Sequence, residues 1–313
     1  MPTPSQLHPP VLTLDVGGTK LAAGIMLADN RIVCRKGTRT LAHEGAAAIL
    51  ARLLELSRKV LESFAHEYKH IGPPQAIGLA SAGYIDHATG TVLFATENLP
   101  GWTGQPLAVQ LKTALGLPAF VENDAACFGL AEATLGAGQG YRHVLVVAVG
   151  TGVGGGIIVN GDLYTGWQGR AGAIGHLVVE PVAGRPCTCG LSGCLESYAA
   201  TRIMVANSGF PTIQVLADHY RRGGTAPAVD EAARWLGIGL ASLAHVIGPQ
   251  AIVIGGSIGL LGERYLTQVR LSFKEHATLL HRSIPILPAQ LEADSGLLGA
   301  GVLARRGLQR SEK

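Results

Sequence analysis

Apolar residues fall along this chain in two rhythms: short apolar runs that mark strands, and three-to-four-residue recurrences that mark helices. Val11-Leu12-Thr13-Leu14 is followed, across Asp15-Val16-Gly17-Gly18-Thr19-Lys20, by a second run from Leu21 to Leu27. This predicts strand, tight turn, strand, inside a meander that reaches Arg35. From about His43 to Tyr68 the apolar positions Ala46, Ile49, Leu50, Leu53, Leu54, Val60, Leu61 and Phe64 form one helical stripe. Gly72-Pro73-Pro74 breaks it. A strand over Gln75 to Ala80, a loop-rich stretch over 84–103, a helix from Gln105 to Leu115, a strand over Leu117 to Val121 and a helix from Ala125 to Leu135 follow.

The second half repeats the order. Tyr141 to Val149 reads as a buried strand, Gly150 to Gly156 as a glycine loop, and the residues up to Val159 as a returning strand. Helices are predicted over Thr212 to Arg222 and Val229 to Ile247. A buried strand, Ala251 to Ile254, ends at Gly255-Gly256-Ser257. A helix, a strand near Ile284 to Leu287 and a last helix from Gly296 to Arg306 close the chain. Three strands, helix, strand, helix thus appear twice, each time opened by a glycine turn. The duplication predicts an α/β fold of two similar domains facing each other across a cleft. Ligands in such sheets bind where strand ends meet loops.

Composition narrows the class. A hydrophobic fraction of 47% and a charged fraction of 15% describe a packed globular chain. The formal net charge of +3 is too small and too scattered for a nucleic-acid surface. The uncharged stretch Val144 to Gly161 approaches the length of a membrane span, but its five glycines among 150–156 would leave polar backbone unsatisfied in lipid. No membrane role is expected. Met1 to Pro10 reads as a short proline-bearing tail without a secretory pattern. Of the 5 cysteines, three cluster, which fits a metal site in a reducing, cytoplasmic compartment better than a disulfide framework.

The candidate chemistry sits in the glycine turns and their neighbours. Gly17 and Gly18 let backbone approach a ligand closely, Thr19 offers a hydroxyl, Lys20 a cation, and Asp15 a carboxylate for the water shell of Mg2+. Alone, this is also the pattern of an ordinary hairpin. The second loop, with Gly150, Thr151, Gly152 and Gly154, turns the balance toward a two-sided grip on polyphosphate. Neither loop matches a Walker or dinucleotide fingerprint. Gly255 and Gly256 leave room for an adenine against backbone. Asp124 follows a strand and opens a helix, where it reads both as an N-cap and as a proton acceptor. His176, Cys187, Cys189 and Cys194 make a closed tetrahedral donor set for structural Zn2+, with Gly190 and Gly193 permitting a tight knuckle. Such a metal would fix residues 176–196 and so aim Glu196.

With these stretches in hand, the chain resembles the ROK family of sugar kinases (repressors, open reading frames and kinases). The resemblance runs from Val11 to about Arg305. It rests on Asp15-Val16-Gly17-Gly18-Thr19-Lys20, Glu122-Asn123-Asp124-Ala125, Gly150 to Gly156, Ala171-Gly172-Ala173-Ile174-Gly175-His176 and Cys187-Thr188-Cys189-Gly190 through Cys194-Leu195-Glu196. It implies two actin-like, ribonuclease-H-like ATPase domains around a central cleft. The division expected is 1–120, completed by 296–313, and 121–295 with the zinc knuckle. It also implies ATP with Mg2+, a structural zinc, and Asp124 as the base that activates a sugar 6-hydroxyl. Asn98, Asn123, Asp124, His176 and Glu196 would surround the sugar. Family members are commonly homodimers or homotetramers. Glucokinases of the family usually carry glutamate where this chain has Ala173. Its loss removes a charge-assisted bond of roughly 1.5–3 kcal/mol and leaves space for an N-acetyl group at C2. That favours an N-acetylmannosamine kinase. Asn98-Leu99-Pro100-Gly101-Trp102 looks more like the glucokinase group, the first alternative. A sugar-sensing regulator without catalysis and an actin-like ATPase without a sugar substrate are the others.

Overall fold

The computed structural model describes residues 8–291 and 294–311; Met1–Leu7 of the expected tail lie outside the described residues. Two five-stranded sheets carry the chain. In the first, strands β1 (Val11–Val16), β2 (Lys20–Met26), β3 (Ile32–Arg39), β4 (Ile77–Ser81) and β7 (Ala119–Asn123) lie in the order β3-β2-β1-β4-β7. The meander pairs antiparallel, with Val16 opposite Leu21, whereas β4 and β7 join in parallel after helical crossovers. In the second, β8 (Val144–Val149), β9 (Val153–Val159), β10 (Asp162–Leu163), β11 (Ala251–Gly255) and β12 (Ile286–Pro288) lie in the order β10-β9-β8-β11-β12. The pairing senses are the same as in the first sheet. The repeat read from the order of apolar runs is therefore a repeat of topology.

Each sheet has its own core. The helix Ala46–Glu67 lays Ile49, Leu53, Val60 and Phe64 against β-strand residues such as Leu14, Ile25 and Leu79. On the first sheet the helix Ser295–Ser311 comes so close that Gly78 faces the Ala300 carbonyl and Gly299 the Cys127 carbonyl, with no room for a Cβ at either. The second core joins β8 and β11 to the helices Ile213–Arg221, Pro227–Ile247 and Gly262–His276.

By contacts, the described residues within Met1–Ala131, Thr165–Ala171 and Ala293–Lys313 form one compact unit, and those within Glu132–Tyr164 and Gly172–Glu292 form another. Residues 121–131, expected with the second domain, fall in the first unit because β7 is hydrogen-bonded to β4 along its length. The segment 165–171 also belongs there, since Gly169 presses on the Ile85 carbonyl.

Other departures from the expected elements have local causes. The stretch 84–103 holds a hairpin, β5 (Tyr84–Asp86) with β6 (Thr91–Phe94), pinned by buried Ile85 and Val92. The glycine loop is shorter than expected, because Gly154, Gly155 and Gly156 lie in β9 opposite Ala148, Val147 and Val146. Gly155 is required there: the Val146 carbonyl and Ile174 occupy the space of its missing side chain. Two short helices, Glu196–Ala199 and Thr201–Ala206, follow the cysteine cluster. Among the described residues no helix is long and apolar enough to cross a membrane.

Candidate active site and metal knuckle

In the first unit the turn between β1 and β2 is closed by the Gly17 amide donating to the Lys20 carbonyl at 3.0 Å. Thr40, at the end of the meander, ties the turn from behind. Its amide donates to the Thr19 carbonyl (2.9 Å) and its hydroxyl to the Gly17 carbonyl (2.6 Å). The Gly17 and Thr19 carbonyls are thereby occupied. Among the described residues no acceptor meets the amides of Gly18 and Thr19, and both residues are exposed. Neither Gly17 nor Gly18 has a left-handed φ, and a Cβ on either would meet only ordinary contacts, 3.5 Å from the Lys20 carbonyl and 4.0 Å from the Asn98 carbonyl. The fold itself does not demand glycine there. A ligand lying on exposed amides would. The Lys20 stem packs by Gly37 of β3, and its charge pulls the Asp15 carboxyl down.

Asp15 and Asp124 face each other electrostatically. Burial, then the Asp124 charge, push the Asp15 carboxyl up to about 6, against the pull of Lys20 and Arg35. Burial also raises the Asp124 carboxyl; the amide of Ala125 and the Asn123 side chain oppose this. Asp124 begins the helix Asp124–Leu135 and its Oδ1 accepts from the Ala125 amide at 2.8 Å. The capping geometry falls to Asn123 instead, whose Oδ1 accepts from the Ala126 amide at 3.1 Å while its Nδ2 donates to the Gly83 carbonyl at 2.8 Å. Capping by the preceding residue frees Asp124 from that duty. Asn98 is exposed beside the turn, on a loop anchored by buried Leu99 and by Trp102, whose indole donates to Ser81 Oγ at 3.0 Å. Asp15, the glycine turn, Asn98, Asn123 and Asp124 thus share one unit.

In the second unit the β8–β9 turn closes with the Gly150 amide donating to the Gly152 carbonyl at 2.8 Å. Gly255-Gly256-Ser257 reaches the same place: Ser257 Oγ lies 3.1 Å from Thr201 Oγ1, and the Thr201 amide donates to the Gly150 carbonyl at 2.8 Å. Glu196 sits on this turn. Its Oε2 accepts from the Val153 amide at 2.9 Å, and its Oε1 takes Thr188 and Arg202, each at 3.2 Å. A Cβ at Gly152 would stand 2.6 Å from Glu196 Oε2, so the carboxylate would have to shift. Gly154, taken as a turn residue, is in β9. Thr40, Thr201 and Arg202 brace the two turns, and nothing in their local sequence marks them.

The donor atoms of His176, Cys187, Cys189 and Cys194 all lie within 4.8 Å of one another. Cys189 and Cys194 sulfurs are 3.7 Å apart, and Cys187 Sγ is 3.7 Å from His176 Nδ1. A tetrahedral ion with Zn–S bonds of about 2.3 Å separates two thiolates by ~3.8 Å, so the set fits Zn2+. Burial and the facing thiols push Cys194 up to about 12. Burial opposes ionisation of Cys187 too, but the amide and thiol of Cys189 and the His176 ring bring it to about 7. Ala173 is exposed, three residues before His176, and its carbonyl accepts the His176 amide at 3.0 Å.

Against known proteins, the family model described as ROK family matches residues 11–307. The chain is 33% identical to a glucokinase from Halalkalibacterium halodurans, covering 96% of both chains. It is also 33% identical to an N-acetylmannosamine kinase from Shigella flexneri, covering 94% of this chain and 98% of that one. A crystal structure of a ROK family glucokinase from Streptomyces griseus, in complex with glucose and AMPPNP, superposes with a TM-score of 0.81 at 32% identity, over 95% of this chain and 100% of that one.

Proposed function

The chain belongs to the ROK family and is an ATP-dependent sugar kinase, and we propose that it phosphorylates the 6-hydroxyl of N-acetylmannosamine with Asp124 as general base. The observation that carries the base is the pair of raised carboxyls, Asp15 and Asp124, beside a turn whose amides are open. Asp124 accepts the hydroxyl proton as the sugar oxygen bonds to the terminal phosphorus, and the bond from that phosphorus to the bridging oxygen of ADP breaks. A carboxylate whose pKa burial has raised is a stronger base than a solvated one. The exposed amides of Gly18 and Thr19, and the turn at Gly150, Thr151 and Gly152, hold phosphate oxygens; Gly255 and Gly256 border the adenine. A partly buried carboxylate facing a second one is also a place where a dication is favoured, so Asp15 fits as holder of the Mg2+ water shell. When bound, Mg2+ neutralises charge on the transferred phosphoryl group. His176, Cys187, Cys189 and Cys194 hold a structural Zn2+. Asn98, Asn123, His176 and Glu196 contribute to sugar binding.

The short side chain of Ala173 supports an acceptor with a C2 acetamido group. Glucose is the second reading, favoured by the H. halodurans relative and by the Asn98 to Trp102 loop. With relatives named as kinases, a purely sensing role has no support. ADP release measured with glucose, mannose, N-acetylglucosamine and N-acetylmannosamine distinguishes them. N-acetylmannosamine is expected to give the highest kcat/KM, and Ala173→Glu to move the preference toward glucose. Asp124→Asn is expected to lose 100-fold or more, on the order of 10²–10⁴. Near-normal turnover in that variant ends the base assignment. Highest kcat/KM with glucose ends the acetamido assignment alone.

A further inference from the structure

Just ahead of Asp124, the carboxylate of Glu122 is 3% exposed. It stands on β7 opposite Ala80. Its two oxygens have separate partners: Oε1 accepts the Asn123 amide at 2.8 Å, and Oε2 lies 3.0 Å from His87 Nδ1. No Lys or Arg pairs with it among the described residues. A buried carboxylate is costly, and an apolar residue would serve a strand's stability as well or better. Glu122 is therefore explained poorly by stability.

What it joins is more telling. His87 follows β5, in the turn of the β5–β6 hairpin, where the Ala88 amide donates to Asp86 Oδ1 at 3.0 Å. Asn123 reaches the same hairpin through Gly83. The two residues before Asp124 thus tie it to the hairpin at both ends of β5. That hairpin leads into the loop bearing Asn98, and Gly169 leans on it at Ile85, with the His87 amide 3.7 Å from where its Cβ would be.

We propose that Glu122, held by His87, is a positioning residue for Asp124: it fixes the peptide that carries the base against the hairpin, without touching substrate. The assignment rests on Asp124 being the base. Misplacing a reacting group by about 1 Å costs on the order of 100-fold in rate. Loss of Glu122 is thus felt in kcat, with the sugar KM little moved.

The experiment measures kcat and sugar KM for Glu122→Gln, Glu122→Ala, His87→Ala, Asp124→Asn and the double variant Glu122→Gln/Asp124→Asn. His87 is exposed and Glu122→Gln is isosteric, so both are expected to fold, as checked by Tm. Expected are a kcat loss of roughly 10- to 100-fold for Glu122→Ala and His87→Ala, KM within about threefold, and partial recovery of kcat in Glu122→Gln, whose amide oxygen still accepts the Asn123 amide. In the Asp124→Asn background Glu122→Gln is expected to cost nothing further. The proposal is overturned if Glu122→Ala and His87→Ala keep kcat within twofold, if the loss appears in KM instead, or if Glu122→Gln costs as much with Asp124 removed as with it present. Should Asp124→Asn itself turn over normally, it is the base assignment that fails.

Discussion

The two glycine turns occupy equivalent places in two sheets of the same strand order, yet the chain furnishes them in opposite ways. Behind the first stands Thr40, which takes the Gly17 and Thr19 carbonyls and leaves the Gly18 and Thr19 amides open. Behind the second stands a charge: Glu196 accepts the Val153 amide and fills the space beside Gly152. Glycine in the first turn is free of any demand from the fold, whereas a side chain at Gly152 would have to displace the Glu196 carboxylate. A shared topology thus fixes where backbone amides gather; the side chains behind them decide which of those amides are left for an incoming anion.

The largest effect expected from this contrast concerns the proposed metal site at His176, Cys187, Cys189 and Cys194. Glu196 follows Cys194 by two residues, so whatever holds the knuckle also holds the second turn, and it has no counterpart among the described residues of the first unit. Chelation, or Cys189→Ser, is expected to cost several kcal/mol, roughly 10 °C or more in Tm. Hydrogen exchange should rise over 176–196 and at 150–153, and stay unchanged over 11–40. Equal rises in both turns, or none, would break the contrast.

A smaller effect separates the glycines themselves. Gly152→Ala must displace Glu196 Oε2 and is expected to destabilise by about 1–3 kcal/mol. Gly18→Ala has open space, so its stability should stay within about 0.5 kcal/mol, while its KM for ATP rises roughly tenfold, a loss of ~1.4 kcal/mol. Thermal melts beside ATP titrations check both. If Gly18→Ala melts as early as Gly152→Ala, glycine in the first turn is structural after all.

These distinctions were only partly legible in the sequence. The helix Ala46–Glu67 and the two meanders were readable because their apolar periods run long enough to average out exceptions. The β5–β6 hairpin was not, since it rests on little more than Ile85 and Val92 in a stretch rich in turn residues. Gly154 to Gly156 read as loop because glycine usually punctuates; here Gly155 makes room for the Val146 carbonyl and Ile174, a tertiary demand invisible locally. Asp124, Asn123 and the cysteine set stood out through compact local spacing. Glu122 lies in the same motif, but its tie to His87 was not legible, since that partnership spans 35 residues and exists only once the hairpin folds back on β7.

A last effect, of the same size as the glycine effects, lies in the charge at the foot of the first turn, where the second turn has only the neutral Ala148 and Val149. Asp15 titrates at about 6 in the folded chain against 3.8 for the ordinary carboxyl, because burial and Asp124 disfavour its charge. Between those values the folded state holds more protons than the unfolded one. Its contribution to stability is therefore present at low pH and lost as pH rises through about 6. At pH 7 in magnesium-free buffer the ionised group costs roughly 2 kcal/mol after partial solvation. Asp15→Asn should then melt several degrees above the parent chain at pH 7 and level with it near pH 4, while turning over sugar far more slowly. The parent chain, and not the variant, should gain Tm on adding Mg2+. Were the two melting curves to stay parallel across that range, the carboxyl would not be burdened by its surroundings, and the first turn would differ from the second in its open amides alone.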